Sequence, residues 1–213
     1  MRIAYLGLAV AIVVILIAFG LLRYKQNRDY ADALATPTPG PNASQKPIQL
    51  SDTAQSVGKP AFAPGDNKRG GAGGPVDGIQ CEATEQVTMH IHSHLVLFVK
   101  GKQLQIPQFI GVVPTGNNSA CLYWIHTHDP SGIIHVEAPE LHQYVLGNLF
   151  DIWGQDLSRN QVGPYQGPVT AFVNGAKYDG DLAQIPLRAH QQITLEVGTP
   201  IVPPPNYGFP LGL

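Results

Sequence analysis

The chain begins with a long uninterrupted apolar segment. Residues 3–22 contain no charged side chain, and a helix of twenty residues is about 30 Å long, which matches the hydrocarbon core of a bilayer. Arg23, Lys25 and Arg28 follow directly. The run is longer than the apolar part of a cleaved signal peptide, which is the alternative. We therefore expect residues 1–28 to be an uncleaved transmembrane anchor that contacts the lipid bilayer through residues 3–22.

Apolar positions become sparse after the anchor. Residues 31–80 contain seven prolines, eight glycines and a single aromatic residue, Phe62. A segment of this kind buries too little apolar surface to offset the entropy lost on ordering. We therefore expect residues 29–80 to form a Pro/Gly-rich disordered tether. Residues 81–200 then form a folded head.

Within the head, short runs of β-branched and aromatic residues end at turn signals. Residues 87–99 are such a run, and residues 169–173 lead into Asn174-Gly175, the strongest hairpin signal in the chain. Apolar residues three or four apart predict one helix over residues 139–153. The pattern predicts a mainly β fold, an antiparallel sandwich or barrel-like head with one short helix, preceded by a single transmembrane helix.

Charge excludes one class of partner. The chain has 13 Lys plus Arg against 15 Asp plus Glu, and only 13% of its residues are charged. Nucleic-acid binders carry a basic surplus that neutralises phosphates. We therefore expect no nucleic-acid partner.

Histidines are concentrated in the head and alternate along two predicted strands. Alternate side chains of a strand share one face, so the alternating imidazoles of each strand point in one direction. Two or three converging imidazoles form a site that suits Zn or Cu. The sequence therefore predicts a Cu or Zn ion held among six histidines: His90, His92, His94, His126, His128 and His135. Copper is preferred if Met89 reaches the site, although strand parity points Met89 away.

The ligand set depends on the hairpin at residues 129–132. A four-residue loop places His126 opposite His135, whereas a three-residue loop with a glycine bulge turns His135 away. A hydrogen-bonded polar cluster and a pH-sensing cluster are alternatives to metal binding. Three polar neighbours are candidates for orienting the rings without binding the ion: Thr127, Asp129 and Glu137.

Two cysteines bear on the location of the head. Cys81 and Cys121 each precede a histidine-bearing strand. We expect a disulfide between them, which would indicate an oxidising compartment; two buried free thiols or two thiolate metal ligands are the alternatives. The positive charges after the anchor favour the opposite orientation. We expect a single-pass membrane protein with its C-terminal domain outside the cytoplasm, periplasmic or extracellular.

The resulting functional hypothesis is a membrane-anchored extracytoplasmic metal-binding domain. Binding is preferred to catalysis because Glu137 is the only evident general base. Three histidines around an open zinc position would instead indicate a hydrolase-type enzyme. The other alternative is a non-catalytic accessory or docking subunit of a membrane protein complex. Its Pro-rich apolar tail, residues 201–213, would then be the docking segment. The plainer interpretation of the tail is a frayed terminus or a strap on its own head.

Overall fold

The computed structural model describes residues 2–35, 40, 55–56 and 70–213. Most of the predicted tether, residues 36–39, 41–54 and 57–69, lies outside the described residues. The N-terminal helix α1 spans Arg2–Leu34. Its stretch Val10–Arg28 is long and apolar enough to cross a membrane and is not buried by the rest of the protein.

The remainder of the described chain is mainly β, as predicted. It contains one α-helix, α2 (Leu146–Trp153), and a short 3-10 helix, Leu182–Gln184. The strands are β1 (Gln55–Ser56), β2 (Cys81–Glu82), β3 (Met89–Val99), β4 (Lys102–Gln105), β5 (Val112–Gly116), β6 (Ser119–Tyr123), β7 (Ile125–His126), β8 (Ile133–Ala138), β9 (Leu157–Ser158), β10 (Gln161–Val162), β11 (Tyr165–Gln166), β12 (Val169–Val173), β13 (Ala176–Tyr178) and β14 (Gln192–Val197).

The largest sheet is open and mixed. Its main path runs β1-β4-β3-β14-β12-β13, and β8 joins β3 to β7. Neighbouring strands are antiparallel except for β1 with β4 and β14 with β3, which are parallel. A parallel pair needs a long crossover, and the chain between β3 and β14 provides one. The described strands form no closed barrel.

Two small sheets flank the large one, β11-β10-β9 and β2-β6-β5. A disulfide joins Cys81 on β2 to Cys121 on β6, which confirms the predicted pairing. The cross-link lies in the small sheet β2-β6-β5. It joins the start of the head to β6, the strand that directly precedes β7.

The single helix of the head is shorter than its apolar spacing predicts. Val145 precedes α2 in an extended conformation, so the expected helical start at residue 139 is wrong. Backbone hydrogen bonds join Leu146 to Ile185 and Leu187 to Tyr144, and these long-range pairings hold the preceding segment extended. Gly147 lets α2 approach the 3-10 helix, since a Cβ there would lie 2.9 Å from the Ala183 carbonyl oxygen.

The hydrophobic core lies between the large sheet and α2. One face of β3 contributes Met89, Ile91, Leu95 and Leu97, all at most 3% exposed. The histidines alternate with these residues and lie on the opposite face of the strand. The structure thus separates an apolar face from a histidine-bearing face along the first half of β3.

Segments at both ends of the head pack against it. Ile79 is buried in the core, so the head includes residues that the composition assigned to the tether. Residues 201–213, here called the C-terminal strap, cross the outside of the sheet. The backbone N–H of Tyr207 donates to the Gln192 side chain at 2.7 Å, and that of Val202 donates to Glu196 at 2.8 Å. The strap interpretation therefore describes the tail better than a free docking arm.

Candidate metal centre

Three adjacent strands carry the histidines, with β8 between β3 and β7. His135 on β8 lies opposite His92 on β3 and opposite His126 on β7. This is the register of the four-residue loop, so one of the two sequence alternatives is confirmed. Gly132 makes the register possible because its φ is +88° and a Cβ there would collide with the Leu95 carbonyl oxygen.

The structure brings five of the six predicted histidines together with a carboxylate. Two sets of side chains each place all their ligand atoms within 4.8 Å of one another. The first set combines β3 with β8, the second combines residues 126–128 with β8, and both include His135 and Glu137. The sets are His90, His92, His135 and Glu137, and His126, His128, His135 and Glu137.

On the β3 side, one oxygen of Glu137 lies between two rings. The Oε1 atom is 3.3 Å from Nε2 of His90 and 3.2 Å from Nδ1 of His135. The His92 ring packs edge-on against His135, with centroids 4.6 Å apart. His92 is buried, and its Nε2 atom has no hydrogen-bond partner.

On the β7 side, two ring nitrogens face each other. Nε2 of His126 lies 3.1 Å from Nε2 of His128, and 4.0 Å from Oε2 of Glu137. The opposite nitrogen of His126, Nδ1, lies 2.8 Å from the Tyr123 carbonyl oxygen. A carbonyl only accepts, so Nδ1 carries the proton and Nε2 of the neutral ring presents its lone pair to the cluster.

Glu137 is more central than the sequence indicated. It was a candidate for orienting the rings, but its side chain is only 3% exposed and belongs to both sets. The signal was present in the strand alternation, because His135 and Glu137 are two residues apart on β8 and share its face. A second carboxylate, Glu85, lies 3.3 Å from Nε2 of His128 at the exposed rim.

The structure does not bring His94 into either set. Its Nε2 atom lies 3.0 Å from the Ser131 carbonyl oxygen, and its ring stacks on Tyr207 of the strap at 3.8 Å. Met89 is buried in the core on the other face of β3. Thr127 donates a hydrogen bond to the Pro107 carbonyl oxygen, and Asp129 accepts one from the Ser131 backbone.

Burial keeps the inner rings uncharged. It lowers the pKa of His92 to about 4, with the neighbouring His135 and His90 adding to the effect. Burial likewise lowers the pKa of His126 to about 4, although the hydrogen bond to Tyr123 opposes the change. Both rings are therefore neutral near pH 7, the form in which imidazole binds a metal ion.

Glu137 behaves in the opposite way. Burial acts to raise its pKa, but the hydrogen bond with His135 and the charges of the surrounding histidines outweigh burial and hold the pKa below its ordinary value. The carboxylate is therefore negative near pH 7. Its ion-pair partners in the described chain are all histidines, and no Lys or Arg of the described residues pairs with it.

The short separations match the geometry of a shared ion. Ligand atoms at 2.0–2.1 Å from a tetrahedral ion lie about 3.3–3.4 Å from one another. The His126–His128 pair is at 3.1 Å, the His135–Glu137 pair at 3.2 Å and the His90–Glu137 pair at 3.3 Å. Small shifts of the side chains would therefore suffice to direct these atoms at a metal ion.

Comparison with other proteins adds no independent assignment. No protein-family model matches the chain, and neither a curated protein nor a solved structure matches it significantly.

Proposed function

We propose that this chain is a membrane-anchored protein whose head binds a divalent transition metal, Zn²⁺ or Cu²⁺. The ligands would be drawn from Glu137 and the five histidines that surround it: His90, His92, His126, His128 and His135. Imidazole nitrogen combined with carboxylate oxygen is a donor set that suits both metals.

The observation that carries this proposal is a buried carboxylate on which five imidazoles converge and with which no Lys or Arg of the described residues pairs. A buried negative charge is costly unless a cation or several hydrogen bonds balance it. Glu137 is buried among rings of which His92 and His126 are neutral near pH 7. Its Oε2 atom and Nε2 of His92 also lack hydrogen-bond partners. Metal coordination would satisfy both atoms.

A hydrogen-bonded polar cluster explains the same residues less completely. Such a cluster accounts for the hydrogen bond between His135 and Glu137. A single proton between the two Nε2 atoms accounts for the contact of His126 with His128. It leaves the unpartnered nitrogen of His92 and the second oxygen of Glu137 unexplained. Buried polar atoms in proteins are rarely left without a partner.

The proposed location is outside the cytoplasm. The support is the disulfide between Cys81 and Cys121, since disulfides form and persist in oxidising compartments. The helix α1 would serve as the anchor, with the head following it on the outer side of the membrane.

We propose a role in binding or handling the metal, not in catalysis. Glu137, the only general base that the sequence suggested, is here a shared member of both ligand sets. Met89 is held in the core, so the thioether that would have favoured copper does not join the cluster. The proposed site therefore contains no sulfur ligand that would favour copper over zinc.

Elemental analysis of the full-length chain tests the proposal. The protein would be purified in detergent with an affinity tag free of histidine, since histidine tags bind metal themselves. We expect at least one Zn or Cu per chain in the wild type. His135→Ala should remove at least one metal ion per chain, because His135 belongs to both sets. His142→Ala, which removes an exposed histidine outside the cluster, should retain the metal. A metal-free wild type after reconstitution with either ion would overturn the proposal.

A further inference from the structure

The cluster contains more ligand atoms than one ion uses. A tetrahedral metal ion takes four ligands, whereas five histidines and one carboxylate converge here. The six side chains do not merge into a single set, because only His135 and Glu137 belong to both. The six side chains therefore form two overlapping sets of ligands and not a single set around one ion.

Strand order explains the overlap. Because β8 lies between β3 and β7, His135 and Glu137 are central. His90 and His92 approach from one side, and His126 and His128 approach from the other. His90 and His92 follow the two-residue alternation of β3, whereas His128 lies just beyond the end of β7 and contacts His126 directly.

The two oxygens of Glu137 face different sides of the cluster. Oε1 contacts His90 Nε2 at 3.3 Å and His135 Nδ1 at 3.2 Å. The other oxygen, Oε2, lies toward His126 Nε2 at 4.0 Å and has no hydrogen-bond partner. One carboxylate thus presents a separate ligand atom to each flanking pair of rings.

We propose that the head holds two metal ions bridged by the carboxylate of Glu137; this inference rests on the proposed function and extends it. One ion binds Oε1, His90, His92 and His135. The other ion binds Oε2, His126 and His128. A carboxylate that bridges in this way suits two ions about 3.5–4 Å apart, the spacing of two-metal sites in proteins.

The two ions would differ in their access to solvent. The β3-side ion has three imidazoles and one carboxylate oxygen, which completes a tetrahedral set. The second ion has two imidazoles and one oxygen, which leaves a position for water. His128 is 39% exposed and lies beside Glu85, so this open position faces the rim of the head.

Metal titration of the full-length chain in detergent tests this inference. The chain is stripped with a chelator, reconstituted with excess Cu²⁺ or, separately, Zn²⁺, and passed over a gel-filtration column before elemental analysis. We expect two ions per wild-type chain. His90→Ala and His128→Ala should each bind one, and His142→Ala should bind two. His90 and His128 are both partly exposed, so we expect these variants to fold, which thermal unfolding checks.

Electron paramagnetic resonance distinguishes bridged ions from separate ones. With one equivalent of Cu²⁺ we expect the signal of isolated copper. With two equivalents, coupling across the carboxylate should broaden or remove that signal. Glu137→Gln should restore an uncoupled signal or lower the affinity of one ion at least tenfold.

Each outcome has a separate meaning. The two-ion inference would be overturned if the wild type bound one ion and only one of the variants His90→Ala and His128→Ala lost it. The proposed function would then still stand. Two ions without magnetic coupling would also overturn it, because the second ion would then lie elsewhere. No bound ion at all would overturn the proposed function itself.

Discussion

Nε2 of His126 and Nε2 of His128 lie 3.1 Å apart, on rings whose centroids are 4.7 Å apart and nearly perpendicular. Because Nδ1 of His126 holds its proton on the Tyr123 carbonyl oxygen, the lone pair of His126 points at the neighbouring ring. In the metal-free protein, Nε2–H of His128 donates a hydrogen bond to this lone pair. In the proposed metal-bound state both nitrogens would be ligands, and of these two rings only His128 would have to change its protonated nitrogen.

This relationship predicts the tautomer of His126 in the metal-free protein. Long-range ¹H–¹⁵N correlation spectra of the labelled chain should show His126 protonated at Nδ1 at pH 7. The ring should stay neutral until the pH approaches 4, because burial lowers its pKa to about 4. A resonance protonated at Nε2, or a titration midpoint near the ordinary value of 6.5, would contradict the hydrogen-bond assignment.

Acid should destabilise the metal-free head through its buried histidines. Burial also lowers the pKa of His94 to about 4, whereas the ring in the unfolded chain titrates near 6.5. Between these values the unfolded state binds more protons, so the free energy of unfolding falls as the pH falls from 6.5 toward 4. Each such ring contributes a slope of about 1.4 kcal/mol per pH unit.

His94→Gln isolates one of these contributions, since the amide can still donate to the Ser131 carbonyl oxygen. Urea unfolding at several pH values should give a slope that is lower than that of the wild type by about 1.4 kcal/mol per pH unit. Equal slopes for the wild type and the variant would show that His94 titrates alike in the folded and unfolded states.

Short-range patterns predicted much of this fold. The hairpin at Asn174-Gly175 has both residues at positive φ, as two-residue turns of this sequence require. Alternation along β3 correctly separated its histidines from the core residues. The helical spacing before Leu146 was misleading, because long-range backbone pairing with Ile185 and Leu187 determined the conformation there.

Part of the candidate site lay beyond the reach of the sequence. The hairpin register depended on a shift of one residue, and the pairing of His126 with His135 that distinguishes the two alternatives is visible only in the folded structure. Alternation placed His94 on the face of His92, but it could not show that the strap would cover that ring with Tyr207. The parallel pairing of β3 with β14 is equally non-local.

The contact between His94 and Tyr207 predicts that the C-terminal strap stabilises the head. Tyr207→Ala removes a stacked ring pair that contributes about 0.5–1.5 kcal/mol beyond area burial. We expect a loss of about 1–2 kcal/mol in urea unfolding at pH 7.5, with metal content unchanged. The matched control Leu211→Ala, in the same segment but fully exposed, should change stability by less than about 0.5 kcal/mol. If both variants unfold like the wild type, the segment is a free arm and docking becomes its better interpretation.

The disulfide should stabilise the head without taking part in metal binding. Cys81 and Cys121 are 40 residues apart in sequence, and closing a loop of that length contributes about 4 kcal/mol by restricting the unfolded chain. The double variant Cys81→Ser, Cys121→Ser should lose about that much in urea unfolding while the folded fraction keeps its metal. Both cysteines lie outside the two ligand sets, so metal loss from a folded double variant would mean that β2 and β6 position β7. Disulfides form and persist in oxidising compartments, so the cysteines of the wild type isolated from its native source should resist alkylation until the protein is reduced. Free thiols in that preparation would place the head in the cytoplasm.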